Sequence, residues 1–242
     1  MISPSPVAEK QKHKTNGAKS DVARVSVIIP AYNEGEVIAS TIELVEDVVK
    51  NAKIDAEIIV VDDGSKDGTG AKAQDRGVRT VRHPHNVGYG RSLKDGIAAA
   101  RFDTIVIMVQ KEVADRLAAS PGSRDYGLLS ATAQLYSRVE KLFTLPPGAF
   151  NPPPKVHSSV VRLTIEPRLE QLSVPEERFI QFLKLSFGQK RKTLWNNLKE
   201  EHDKDALRKA LEKTGIKPTA RAEALSLEKS AALFRALETI AS

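Results

Sequence analysis

Four short runs rich in β-branched residues, Val25–Ile29, Glu57–Val61, Arg79–Arg82 and Thr104–Val109, alternate with helix-forming stretches, and this alternation constrains the fold more than any other feature. The first run stops at Pro30 and the second at Asp62-Asp63-Gly64, so both read as buried strands that open into loops. Between them, residues 36–50 place Val37, Ile38, Ile42, Leu44, Val45, Val48 and Val49 mostly on one helical face, a length that suits a crossover between parallel strands. Asp67–Arg76 and Gly90–Ala100 repeat the pattern. The expected fold class is therefore α/β: a three-layer, Rossmann-like, mostly parallel sheet whose ligand would sit at the carboxyl ends of the strands.

The texture changes after Gln110. A helix to Ala119, a Pro121-Gly122 turn, an apolar stretch from Leu128 to Leu145, a proline-rich loop over 146–154 and a strand over Ser159–Ile165 read as a closing α/β segment. From Pro175 the pattern is purely helical, with helices expected at 176–187, 190–201, 204–213 and 227–240, which makes a small all-α C-terminal domain. The expected organisation is a flexible tail over 1–20, a nucleotide-binding half over 21–106, a closing segment over 107–172 and a helical domain over 173–242.

Charge separates these parts. Residues 1–106 carry 15 basic and 15 acidic side chains, whereas 107–242 carry 22 and 16, so the whole net charge of +6 lies in the second part. Such asymmetry points to a polyanion partner or to a solvated basic surface. The absence of cysteine excludes disulfides, thiol nucleophiles and Cys-based metal sites and fits a reducing compartment, so a cytoplasmic location is expected. No stretch approaches the roughly 20 apolar residues of a membrane span.

The first chemistry-bearing constellation is Pro30-Ala31-Tyr32-Asn33-Glu34 after the first strand, with Asp62-Asp63-Gly64-Ser65 and Asp67-Gly68-Thr69 after the second. Carboxylates there can accept from a nucleobase N–H or a ribose hydroxyl. The same residue types equally suit a turn and helix cap. With His83-Pro84-His85-Asn86-Val87-Gly88-Tyr89-Gly90, the stretch from Val25 to about Arg101 resembles the opening of family 2 glycosyltransferases, particularly the dolichyl-phosphate mannose synthase branch. The resemblance implies that Pro30, Tyr32, Glu34, Asp62 and Asp63 surround a nucleotide or nucleotide-sugar, with Asn86 and Gly88 shaping the loop behind it. That family holds Mg²⁺ or Mn²⁺ on a D-x-D motif after the strand corresponding to Thr104–Met108, where this chain reads Val109-Gln110-Lys111. Its only D-x-D, Asp203-Lys204-Asp205, lies in a charged helical stretch and reads as solvated surface.

From Met108 onward the motifs change. Met108–Leu117, Tyr126–Ser130, Val139–Phe143, Phe150-Asn151-Pro152-Pro153-Pro154-Lys155 and Phe187–Leu194 resemble the later part of ribosomal RNA adenine dimethyltransferases. The resemblance implies closing strands of a methyltransferase sheet, a loop at Phe150, Asn151, Pro152 and Lys155 bordering the target adenine, and a helical domain that contacts small-subunit rRNA. Lys190, Arg191 and Lys192, read as the start of a helix beside Trp195, are the residue types that bind phosphates and stack on an unpaired base. S-adenosylmethionine is the cofactor expected of that family. Its glycine-rich loop, ribose-binding acid and Asn-Leu-Pro-Tyr motif do not occur in residues 1–107. Two transferase segments thus meet within Thr104–Val109. The leading reading is an rRNA-binding protein of the dimethyltransferase family without a recognisable S-adenosylmethionine site. The alternatives are a glycosyltransferase-like nucleotide-sugar binder and an inactive chimera.

Overall fold

The computed structural model describes residues 24–150 and 153–241; the expected tail over 1–20, with Asn151 and Pro152, lies outside the described residues. Six strands form one sheet: β1 (Arg24–Ala31), β2 (Asp55–Asp62), β3 (Arg79–Arg82), β4 (Thr104–Gln110), β5 (Ser137–Leu145) and β6 (Ser158–Ile165), in the order β3-β2-β1-β4-β6-β5. β1 pairs in parallel with β2 and β4, and β2 with β3, whereas β4 and β6 are antiparallel. The helices are α1 (Ile38–Asn51), α2 (Thr69–Asp75), α3 (Tyr89–Ala99), α4 (Lys111–Leu117), α5 (Leu128–Tyr136), α6 (Leu169–Leu172), α7 (Glu176–Ser186), α8 (Leu194–Leu198), α9 (Lys204–Lys213) and α10 (Leu227–Ala241).

The chain divides into two compact units, one formed by the chain up to Gln110 with Leu142–Ile165, the other by Lys111–Lys141 with the chain from Glu166. In the first unit the strand period separates the layers. Ala31 and Val60 point to the face covered by Ile38 and Ile42 of α1 and Ala73 of α2. Ile28 and Val61 point to the other, where α3 approaches so closely that a Cβ on Gly96 would strike the Ile28 side chain. Helices on both faces of a mostly parallel sheet are the expected three-layer arrangement. The apolar face foreseen for α1 is narrower than the sequence pattern: Ile38 and Ile42 are buried, but Val37, Leu44 and Val48 are exposed. Those three lie round the helix from the stripe that meets the sheet.

β4 is the seam. Val25 to Ile28 of β1 match Thr104 to Ile107 along one edge, and Thr164 to Ser158 of β6 match Thr104 to Gln110 along the other. Ile105, Ile107 and Val109 are buried, and Thr144 of β5 meets Ser159 of β6 hydroxyl to hydroxyl at 2.8 Å.

The second unit is helical and has its own core. Phe179 and Phe182 of α7 pack with Phe234 of α10 at ring separations of 5.5–6.2 Å, surrounded by Leu183, Leu198, Leu207, Leu211 and Leu237. The expected helix over 190–201 is shorter than foreseen: α8 begins at Leu194, and Lys190, Arg191 and Lys192 lie in the preceding turn. Thr193 supplies the cap, accepting from Asn196 N at 3.3 Å, while three cations inside the first turn would oppose the helix dipole. Asp203 similarly caps α9 by accepting from Ala206 N at 2.8 Å, so the sole D-x-D begins as a helix cap. Among the described residues no helix is long and apolar enough to cross a membrane.

Candidate functional site

In the first unit the carboxyl ends of β1 and β2 bring Pro30, Tyr32, Glu34, Asp62 and Asp63 to one edge of the sheet, with Asn86 and Gly88 on the loop that follows β3. Tyr32, Glu34 and Asn86 are exposed; Asp62 and Asp63 are buried. The buried pair is engaged within the protein. Asp62 accepts from Ser65 N at 2.9 Å, and its second oxygen lies 3.3 Å from Arg82 Nε, in an ion pair rather than a well-directed hydrogen bond. Asp63 accepts from Val87 N and Gly88 N, each at 2.9 Å, and meets His83 Nδ1 at 2.8 Å. Burial pushes the Asp63 carboxyl up, and the hydrogen bonds from Val87, His83 and Gly88 outweigh it, so the group sits below its ordinary value. His83 continues the network to Asp95 at 3.1 Å, which Arg91 Nε binds at 2.7 Å.

The loop after β1 is stapled to the loop after β2. Asn33 N donates to Ser65 Oγ at 2.9 Å, Glu34 N to Thr69 Oγ1 at 2.9 Å and Gly35 N to Asp67 Oδ2 at 2.8 Å. Gly64, at φ +74°, backs onto the His85 main chain so closely that any side chain there would collide with it. These staples decide how the site fits S-adenosylmethionine. Three successive N–H groups of the β1–α1 loop, the donors a cofactor at that turn would require, are taken by Ser65, Thr69 and Asp67, and both acids at the β2 end have internal partners. In this structure those donors and acids are engaged within the protein itself. Among the described residues no group of three or more His, Asp or Glu side chains could hold a metal ion.

The residues that the sequence suggested for RNA fall in both units. Phe150 is half-buried after a 3-10 turn at Pro147–Ala149, and Lys155 is exposed. In the helical unit Lys190 donates through Nζ to the Arg124 carbonyl at 2.8 Å, Arg191 is exposed, and Lys192 lines a cavity of about 550 Å³ with Lys184, Gln189, Asn196 and Lys199. Trp195 is half-buried against the helical core, with the Arg208 guanidinium 5.8 Å from its ring centre.

Sequence reasoning missed Ser65, Asp67, Thr69 and His83 as the groups that tie the strand-end loops, and Lys184 and Lys199 as partners of Lys192. Lys184 and Lys199 stand eight residues before and seven after Lys192, so only the turn between α7 and α8 brings them together. The Asp67-x-Thr69 spacing of a helix entry was the one local signal available for the loop staples.

The first unit is a Rossmann-like α/β sheet with polar groups gathered at its strand ends, and the second is helical and carries a net positive charge. Residues 89–239 match the family "Ribosomal RNA adenine dimethylase", and the chain belongs to that family. Residues 26–109 match "Glycosyl transferase family 2", so the two matches overlap over α3 and β4. The ribosomal RNA small subunit methyltransferase A of Koribacter versatilis is 63% identical over 140 residues, covering 58% of this chain and 49% of that protein. The Acidobacterium capsulatum protein of the same name is 56% identical over 140 residues, covering 57% and 50%. The chain thus spans about half the length of these curated relatives. In fold it is similar to a dimethyladenosine transferase from Plasmodium falciparum (TM-score 0.64, 19% identity, 98% and 95% of the two chains). It is also similar to the 23S rRNA methyltransferase ErmE (TM-score 0.53, 15% identity, 96% of each).

Proposed function

We propose that this chain is an rRNA-binding member of the adenine dimethyltransferase family that has no S-adenosylmethionine site. The observation that carries the reading is the coincidence of the whole net charge of +6 with the part that matches the rRNA enzymes. Small-subunit rRNA is the partner, contacted by Phe150, Asn151, Pro152 and Lys155 on the proline-rich loop and by Lys190, Arg191 and Lys192 in the helical domain over 173–242. The absence of methyl transfer is supported by the loop staples, which use the N–H groups a cofactor would need. A cytoplasmic location follows from the rRNA partner.

The test is binding of the full chain to single-stranded or loop RNA across salt. Three phosphate contacts give a log–log slope of about -2, at roughly -0.7 per phosphate. Affinity indifferent to salt would overturn the reading.

The family 2 match over 26–109 favours one second reading, a nucleotide or nucleotide-sugar held at the strand ends. In it the exposed Tyr32, Glu34 and Asn86 face the ligand beside Pro30, while Asp62, Asp63 and Gly88 hold the loops in place. With no D-x-D after β4, binding would show little dependence on Mg²⁺ or Mn²⁺. Failure of both GDP and UDP to bind at millimolar concentration would leave the edge as structure alone.

A further inference from the structure

His83 directly follows β3 and is buried, and both of its ring nitrogens face carboxylates. Nδ1 lies 2.8 Å from Asp63 Oδ1, beyond the end of β2, and Nε2 lies 3.1 Å from Asp95 Oδ2, on α3. A carboxylate only accepts, and a neutral imidazole carries a single N–H, so one of the two links lacks a proton unless the ring holds two. The carboxyls do not supply it. Both sit below their ordinary values: burial pushes each up, and is outweighed by the bonds from Val87, His83 and Gly88 at Asp63 and by Arg91 and His83 at Asp95. The arrangement as it stands is therefore that of a doubly protonated ring held between two anions.

The two links differ in how firmly they are held. Asp63 is buried and also accepts from Val87 N and Gly88 N, so its bond to Nδ1 belongs to a set of three. Asp95 is partly exposed, and its Oδ2 keeps the 2.7 Å bond from Arg91 Nε whether or not the ring contributes. Loss of one ring proton therefore falls on Nε2 and leaves a lone pair facing a carboxylate oxygen. The other charges beside the ring are engaged or solvated: Arg82 pairs with Asp62, and His85 is exposed. α3 has no side-chain cap at its N-terminus, but Tyr89 Oη donates to the Met108 carbonyl at 2.6 Å and Gly96 packs closely on Ile28. Those contacts survive the release of Asp95, so the change is confined to the loop over 84–88 and the first turns of α3.

We propose that His83 is a proton-operated clasp: with both ring nitrogens protonated it ties α3 to the end of β2, and loss of the Nε2 proton frees Asp95 and loosens the loop over 84–88. The inference concerns the first unit alone and does not depend on the RNA reading. Two measurements on the full chain test it from about pH 5 to about pH 9, a range that brackets the charge change of an imidazole. Ring nitrogen NMR follows the protons of His83, assigned by the signals that H83Q removes. Amide hydrogen exchange, corrected for its intrinsic pH dependence, follows protection at Val87, Gly88 and Ser92. Protection at these amides falls about tenfold over the same pH interval in which Nε2 loses its proton, as expected for one hydrogen bond between charged groups, while Ile42 of α1 changes by less than about twofold. In Asp95→Asn the side-chain amide accepts from a protonated Nε2 or donates to a bare one, so the clasp stays shut and protection changes by less than about twofold across the range. A ring that keeps one protonation state throughout would overturn the proposal. So would protection that stays constant while Nε2 loses its proton, or an Asp95→Asn protein whose loop still loosens with pH.

Discussion

The strand-end edge of the first unit and the lysine cavity of the second both gather charge, but they dispose of it in opposite ways. At the edge, Asp62, Asp63, Asp67 and Asp95 each bind donors of the protein itself, so the charges organise loops. In the cavity Lys184, Lys192 and Lys199 form no ion pair among the described residues, and Glu200 is the one carboxylate in the lining. A cluster of ionisable groups in a sequence therefore does not distinguish a scaffold from a binding site. The partner census does.

The contrast breaks most readily at Asp63. Asp63→Ala leaves Val87 N, Gly88 N and His83 without their acceptor in a buried place, and should cost about 3 kcal/mol, read as a lowered midpoint in urea. A loss under about 0.5 kcal/mol would mean that the carboxylate is not structural and is free for a ligand. The same group sharpens the comparison through pH. Because its folded pKa is depressed, it contributes stability that is present above its unfolded value of about 3.9 and lost as pH falls through the folded value. Thermal unfolding of the unmodified protein should therefore decline below about pH 4 more steeply than that of Asp63→Asn.

A smaller effect is expected where charge is paired at the surface of the helical unit. The Arg168 guanidinium beside Glu228 holds that carboxyl down to about 2, yet the pair is solvated, so Glu228→Gln should cost under about 1 kcal/mol at neutral pH and nothing near pH 2. Equal losses for this variant and Asp63→Ala would remove the distinction between buried and solvated networks.

How much of this was legible differs between the same two regions. Runs of Val and Ile ending at Pro30 and at Asp62 located β1 and β2 because both are buried strands, and β3 occupies the foreseen residues 79–82. The antiparallel pairing of β4 with β6 was not readable, since pairing partners carry no local signature. Lys190, Arg191 and Lys192 looked like a helix start because Trp195 and Leu198 continue the pattern, but Thr193 is the better cap and moves the start past them. Asp62 and Asp63 were found by position. Their roles were not, because Arg82, His83, Val87 and Gly88 reach them only after β3 is laid beside β2.

The central claim, that the first unit's polar edge is spent on its own loops while the helical unit keeps charge for RNA, is tested most directly by a thermal-shift series on the full chain. The ligands are S-adenosylmethionine, GDP-mannose and UDP-glucose with Mn²⁺, and a small-subunit rRNA fragment. A ligand that binds only the native state stabilises it by about 2.7 kcal/mol at a hundredfold excess over its Kd. The account predicts a rise in Tm with the rRNA fragment and none with S-adenosylmethionine. A rise with S-adenosylmethionine and none with RNA would contradict it.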